Sequence, residues 1–187
     1  MANWSGNLIK DMQDSSKVIL RSSLAAVLRD RYPKARHHFL VLPWEDINTV
    51  YQLKSEHLGL LEDMHKLALQ TIEFHHAKLQ DFKMGFHMRP SMNRLHLHVI
   101  STDFVSDSLK RERHWTHFNT AFCMPFQSIV DELKRNGKIE PRSEQYIESL
   151  LNGPLICNQC SFQTHTIAFL KRHLQEHLYS TTRYNAA

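Results

Sequence analysis

The sequence predicts an α+β fold, an antiparallel sheet with a long helix across one face, followed by a small zinc-stapled module, and three observations carry that prediction. Residues 95–100 read Leu-His-Leu-His-Val-Ile, a period-two alternation that belongs to a strand. From residue 56 to about 79 the apolar positions Leu60, Leu61, Met64, Leu67, Ala68 and Ile72 recur at helical spacing, with Glu62, Asp63, Lys66 and Glu73 opposite. Cys157-Asn158-Gln159-Cys160 is followed after twelve residues by His173 and after three more by His177. Two thiolates on a turn and two imidazoles one helical turn apart can close a tetrahedron around one structural zinc ion.

In chain order, residues 17–20 and 24–29 read as two short strands joined by Arg21-Ser22-Ser23. Asp30-Arg31-Tyr32-Pro33-Lys34 makes a turn, and residues 37–42 form a third strand that Pro43 ends. After the long helix, residues 82–87 and 95–101 are strands joined by the loop Arg89-Pro90-Ser91-Met92-Asn93. Residues 108–114 carry Lys110, Arg111 and Arg113 with a single Glu112, either a solvated face or the rim of a pocket. Residues 125–135 and 143–151 are read as helices, and Asn152-Gly153-Pro154 then breaks the chain. This divides it into a first domain, 1–152, a finger, 153–179, and a polar tail, 180–187, expected to fray. Within the finger Leu170 should cover the metal, and Phe162 or Phe169 should replace the aromatic side chain that Thr164 displaces.

Composition bounds the function. With 42% apolar and 22% charged residues, 187 residues can bury a substantial core. Of three cysteines two belong to the finger, and an unpaired Cys123 argues for a reducing, intracellular setting. The start has no secretory apolar segment and no run approaches the roughly 18 apolar residues that cross a bilayer, so a soluble protein without a membrane partner is expected. A formal charge of +4 leans towards polyanions.

The chemistry starts from the alternation. His96 and His98 project to one face, roughly 7 Å apart along two strand rises, while Leu95, Leu97 and Val99 face the other way. That pair can grip a phosphate or a metal ion. A metal would need further ligands, and no His-Glu-x-x-His or acidic cluster accompanies the strand, so phosphate is the better supported occupant.

These residues resemble the histidine triad superfamily, whose signature is three histidines separated by apolar residues. Residues 35–43, Ala-Arg-His-His-Phe-Leu-Val-Leu-Pro, resemble that family's segment before its long helix. The likeness is to the branch that adds one carboxy-terminal Cys2His2 finger. It runs from Trp4-Ser5-Gly6 through Tyr-Pro-Lys-Ala-Arg, Pro-Ser-Met, His114-Trp115 and Phe118-Asn119 to the finger. Arg94 stands where the first triad histidine would be, which is expected to alter anion binding or packing and to leave the middle histidine's chemistry intact.

The resemblance implies a hydrolase in single-strand break repair that removes AMP from 5′-adenylated DNA left by abortive ligation. His96 would be the nucleophile, forming a covalent adenylyl-histidine, with AMP as product. His98, His87, Ser91, and Arg113 or His114 would donate to the phosphate oxygens. Asp30 would take the ribose hydroxyls, His38 would lie on the phosphate side, and Leu8, Ile19 and Leu28 would wall the adenine. The partner is double-stranded or nicked DNA with an adenylated 5′ end, RNA–DNA junctions being a further candidate, and the protein is expected to be a nuclear monomer. A lone finger reads only about three base pairs, so backbone contacts are expected from Lys34, Arg36, Lys110, Arg111, Lys171 and Arg172. Trp4 or Trp44 is a candidate to stack on a terminal base pair. Two rival readings stand beside this one: a hydrolase of small adenylated nucleotides, and a non-enzymatic DNA-binding adaptor with a degenerate triad, suggested by Arg94.

Overall fold

The computed structural model describes residues 5–92 and 94–184, so Trp4, Asn93 and the last three positions of the expected tail lie outside the described residues. Strands β1 (Val18–Arg21), β2 (Ala25–Arg29), β3 (His38–Pro43), β4 (Phe82–His87), β5 (Leu97–Ser101) and β6 (Cys123–Pro125) pair antiparallel in the order β1-β2-β3-β5-β4-β6. The period-two pattern assigns every second side chain to each face. Ala25, Val27, Phe39, Val41, Leu97 and Val99 form one face and share a core with Leu61, Met64, Leu67, Ala68 and Ile72 of α2 (Leu58–Phe74). Helices α4 (Phe126–Asn136) and α5 (Glu144–Leu151) close that core with Ile129, Leu133, Ile147 and Leu151. At the end of α4, Gly137 adopts a left-handed φ of 74° and returns its N–H to the Leu133 carbonyl at 2.9 Å, a conformation that favours glycine. Ser143 Oγ accepts from the Tyr146 N–H at 3.2 Å to start α5.

Among the described residues the opposite face is covered at its two ends. Leu8 and Met12 of α1 (Ser5–Gln13) lie over Ala26, Leu28, Leu40 and Leu42. At the other end Ile100, Phe104 and Ala35 pack with Trp115 and Phe118 of α3 (Glu112–Asn119) and with Leu155, Cys157, Leu170 and Leu174 of the finger. The finger itself is β7 (Leu155–Ile156), β8 (Gln163–Thr164) and α6 (Ile167–Tyr184). Between the two covered ends the sheet is open, and the triad histidines stand in that gap.

Several elements differ from the sequence reading. The long helix stops at Phe74 instead of Leu79, because His76 turns left-handed at φ 53° and the Ala77 N–H bonds back to the Ile72 carbonyl at 3.1 Å. Helix α1 and strand β6 have no counterpart in it. With no glycine or proline after Gly153-Pro154, α6 continues through Tyr184, so residues 180–184 are helical. Among the described residues no helix is long and apolar enough to cross a membrane.

Candidate active site

The sheet order sets the site. Asp30 follows β2, His38 opens β3, His96 just precedes β5 and His98 lies in it, and His87 ends β4, so the side chains form a row across four neighbouring strands. The rings of His96 and His98 are 4.6 Å apart at 79°, closer than two strand rises, because His96 precedes the paired part of β5 and leans inward. The His87 ring is 4.2 Å from that of His98, and Phe118 supports the row edge-on, at 5.2 Å from His38 and 5.0 Å from His98. His37 points to the other face, against Phe82 and His75.

Backbone groups set the tautomers. The Lys34 N–H donates to His38 Nδ1 at 3.2 Å, so His38 carries its proton on Nε2. That N–H donates to His98 Nδ1 at 2.9 Å, which puts the His98 proton on Nε2. Among the described residues His98 Nε2 is buried without a partner, and its residue lines the cleft. His96 runs the other way: its Nδ1 donates to the Arg94 carbonyl at 2.6 Å and Nε2 keeps the lone pair. Burial pushes His38 down to about 4, holds His87 and His98 well below the usual imidazole range, and lowers His96 against the opposing pull of the Arg94 carbonyl. The row is therefore neutral at pH 7, with one imidazole offering a lone pair and its neighbour an N–H.

A cleft of about 1000 Å³ runs along the row. It brings together Leu8, Ile19, Leu28, Asp30, Lys34, His38, His87, Ser91, His96, His98 and His114, drawn from six segments of the chain. Asp30 Oδ1 accepts from the Tyr32 N–H at 2.7 Å, which fixes the turn, while Oδ2 lies 3.5 Å from His38 Nδ1. Lys34, expected to contact the DNA backbone, lines the same cleft; its ammonium donates to the Tyr32 carbonyl and burial lowers its pKa. His114 Nδ1 accepts from the Lys110 N–H at 3.1 Å, and burial lowers its pKa as well.

Not every expected residue arrives. Arg113 is exposed and turned towards α5, 3.7 Å from Glu148, whose other oxygen takes Arg89 at 2.7 Å. Arg94 is buried and faces away from the cleft, donating to Asp46 at 2.6 Å and to the Pro43 and Trp44 carbonyls at 3.1 and 2.7 Å. Of the two roles expected for it, packing is the one its contacts fill: it pins the turn after β3. Arg36, Lys110, Arg111 and Arg172 are exposed, whereas Lys171 is half-buried with its ammonium on the Ser106 carbonyl at 3.1 Å. Trp44 is partly exposed and donates to the Ser22 carbonyl at 3.2 Å.

The cleft also contains His117, which sequence reasoning missed. It lies three residues after His114 on α3, so both face one way, and its ring stacks on Phe122 at 4.6 Å and 13°. The usable signal was Trp115 and Phe118 at helical spacing, which extends the charge run into an amphipathic helix.

In the finger, Cys157, Cys160, His173 and His177 converge with their ligand atoms all within 4.8 Å of one another. His173 Nε2 and His177 Nε2 are 3.0 Å apart, Cys160 Sγ is 3.1 and 3.6 Å from them, and Cys157 Sγ is 3.5 Å from His177 Nε2. Around zinc, bonds of about 2.3 Å to sulfur and about 2.0 Å to nitrogen give tetrahedral edges of roughly 3.3 to 3.8 Å, so this donor set fits. Leu170 is fully buried beneath it. Phe162 takes the aromatic position, stacked on His173 at 4.1 Å, while Phe169 is exposed under Arg172.

Residues 3–114, more than half of the chain, match the protein family described as "Scavenger mRNA decapping enzyme C-term binding". The chain belongs to that family. Residues 119–180 match a second, the "C2HE / C2H2 / C2HC zinc-binding finger", and the four converging side chains make this a zinc-binding Cys2His2 finger. The chain is similar to aprataxins. It is 46% identical over 94% of its length to an aprataxin-like protein of Drosophila melanogaster and 39% identical over 95% to aprataxin of Gallus gallus, of whose lengths it spans 27% and 56%. It superposes with a TM-score of 0.72 at 26% identity on the structure titled "Crystal structure of aprataxin ortholog Hnt3 in complex with DNA", covering 90% of each chain.

Proposed function

We propose that this chain is a DNA 5′-adenylate hydrolase of the histidine triad type. The observation that carries the reading is the opposed pair of tautomers: a lone pair on His96 Nε2 beside a donor on His98 Nε2, both neutral at pH 7. Neutral imidazole is a nucleophile, and an N–H aimed at a non-bridging oxygen stabilises the charge that gathers there in phosphoryl transfer. In the first step His96 Nε2 forms a bond to the α-phosphorus of the adenylate while the bond to the DNA 5′-phosphate breaks, its electron pair leaving with that phosphate. In the second, water forms the new P–O bond, the N–P pair returns to Nε2, and AMP departs. Asp30, with Oδ2 facing the cleft, accepts from the ribose hydroxyls, and Leu8, Ile19 and Leu28 pack the adenine. Lys34 and His114 meet the phosphates, with Ser91 and His87 as further donors.

The nucleic-acid half of the substrate is supported by the DNA-bound relative and by the exposed Arg36, Lys110, Arg111 and Arg172 near the cleft and finger. Trp44 is the stacking candidate, and a nuclear address follows from the substrate. Zinc in this scheme is structural, holding the finger at residues 153–179 against the catalytic unit. Arg94 faces away from the cleft, which removes the motive for a degenerate, non-enzymatic triad.

The test is mass spectrometry of the protein quenched during turnover of a nicked, adenylated duplex. The expected result is a gain of one AMP on the peptide containing His96. AMP release without that adduct, and undiminished in His96→Ala, would overturn the mechanism. Turnover of small adenylates alone would return the reading to a hydrolase of small nucleotides.

A further inference from the structure

The cleft has two unlike ends. At one stands Asp30, the carboxylate for the ribose; from there the imidazole row passes through His38 and His98 to His87 and ends at His117, whose ring is 5.3 Å from that of His87. The reacting phosphorus must sit at His96, beside the middle of the row. An adenylate bound with its sugar at Asp30 therefore sends its second phosphate towards His87 and His117. Among the described residues His87 Nε2 is buried without a partner. The cation expected here, Arg113, is held by Glu148 outside the cleft, and Glu148 also holds Arg89.

His117 is prepared for the task. It is half-buried, its ring plane is fixed by the stack on Phe122, and α3 anchors it through Trp115, whose indole donates to the Ile156 carbonyl at 3.1 Å. Burial lowers it to about 4, with the neighbouring His114 and the arginines adding to the effect, so before a phosphate arrives the ring is neutral at pH 7 and carries one N–H. A neutral N–H with fixed direction favours a ligand whose oxygen lies at one point. That is the geometry of a leaving phosphate in line with its nucleophile.

We propose that His117 contacts the phosphate that leaves with the DNA and so sets a preference for pyrophosphate-linked adenylates. The inference rests on the function proposed above. It is tested by comparing two substrates that share AMP and differ in the leaving group: an adenylated nicked duplex and an adenosine phosphoramidate, which releases an amine. In His117→Ala, kcat/KM on the adenylated duplex should fall by about 10-fold or more, while the phosphoramidate stays within about 2-fold of wild type. His117→Asn, whose amide still offers an N–H donor, should recover part of the loss, and AMP affinity measured by calorimetry should match wild type in both variants. A parallel fall on both substrates, no fall on either, or a loss of AMP affinity would overturn the assignment. If the wild-type protein itself releases AMP from neither substrate, the proposed function is what fails.

Discussion

Two pairs of histidine nitrogens in this molecule are almost equally close and stand for opposite chemistries. In the cleft His38 Nε2 and His98 Nδ1 are 2.9 Å apart; in the finger His173 Nε2 and His177 Nε2 are 3.0 Å apart. The first pair shares a proton, because the Lys34 amide on one side dictates which nitrogen donates. The second is flanked by two sulfur atoms at 3.1 to 3.6 Å, so lone pairs converge on a point that a cation fills. Spacing between imidazoles does not distinguish the two uses. The groups behind the rings do: backbone donors and carbonyls in the cleft, thiols in the finger.

The comparison breaks most visibly at His96. Replacing it by Ala should lower AMP release from an adenylated duplex by about three orders of magnitude or more, with an unchanged thermal melt, since the side chain lines a cleft instead of filling a core. Cys160→Ser should act first on stability. Zinc content, read by atomic absorption, should drop, and the melting temperature should fall by about 10 °C, because metal binding and finger folding are one equilibrium. AMP release should then fall too, because Phe118 under the catalytic imidazoles belongs to the same core as Leu170 and Leu174. Activity kept intact in a zinc-free protein would show the two regions to be independent. Leu170→Ala isolates the packing part of that link and should cost about 2 to 5 kcal/mol in a urea titration.

The most gradual effect is in acid. His38 and His117 have folded values near 4, below the ordinary 6.5 of the unfolded chain. Above about 6.5 neither state takes up the proton and stability is flat. Between 6.5 and 4 the unfolded chain binds a proton that the folded one refuses, so stability falls as pH falls, by up to about 1.4 kcal/mol per pH unit for each such histidine. Urea midpoints from pH 7 to pH 5 should decline, and His38→Asn should flatten the decline. An unaltered slope in that variant would mean that His38 is protonated in the folded protein.

The sheet was legible because its strands obey period two and are punctuated by Pro43 and the Arg89–Asn93 loop, and α2 because its stripe is long. Helix α1 was not, since Asn7, Lys10 and Asp11 dilute the pattern and its helical state depends on packing Leu8 and Met12 against β2 and β3. Strand β6 has three residues, too few for a period, and exists by pairing with β4. In the site, Asp30, His38, His87, Ser91, His96, His98 and His114 reach one cleft as expected, while Arg113 was expected there and is captured by Glu148 from a helix 35 residues further on.

By itself the sequence determined the alternation that puts His96 and His98 on one face, the Cys-x-x-Cys and His spacing that makes a metal tetrahedron, and the apolar stripe that covers the sheet's other side, because each depends on residues close along the chain. Only the tertiary structure decided which ring nitrogen carries a proton, which cations enter the cleft, and that the finger and the imidazole row rest on one core. Those depend on backbone amides, carbonyls and carboxylates from distant segments, and neutral imidazoles take their roles from whatever burial places against them.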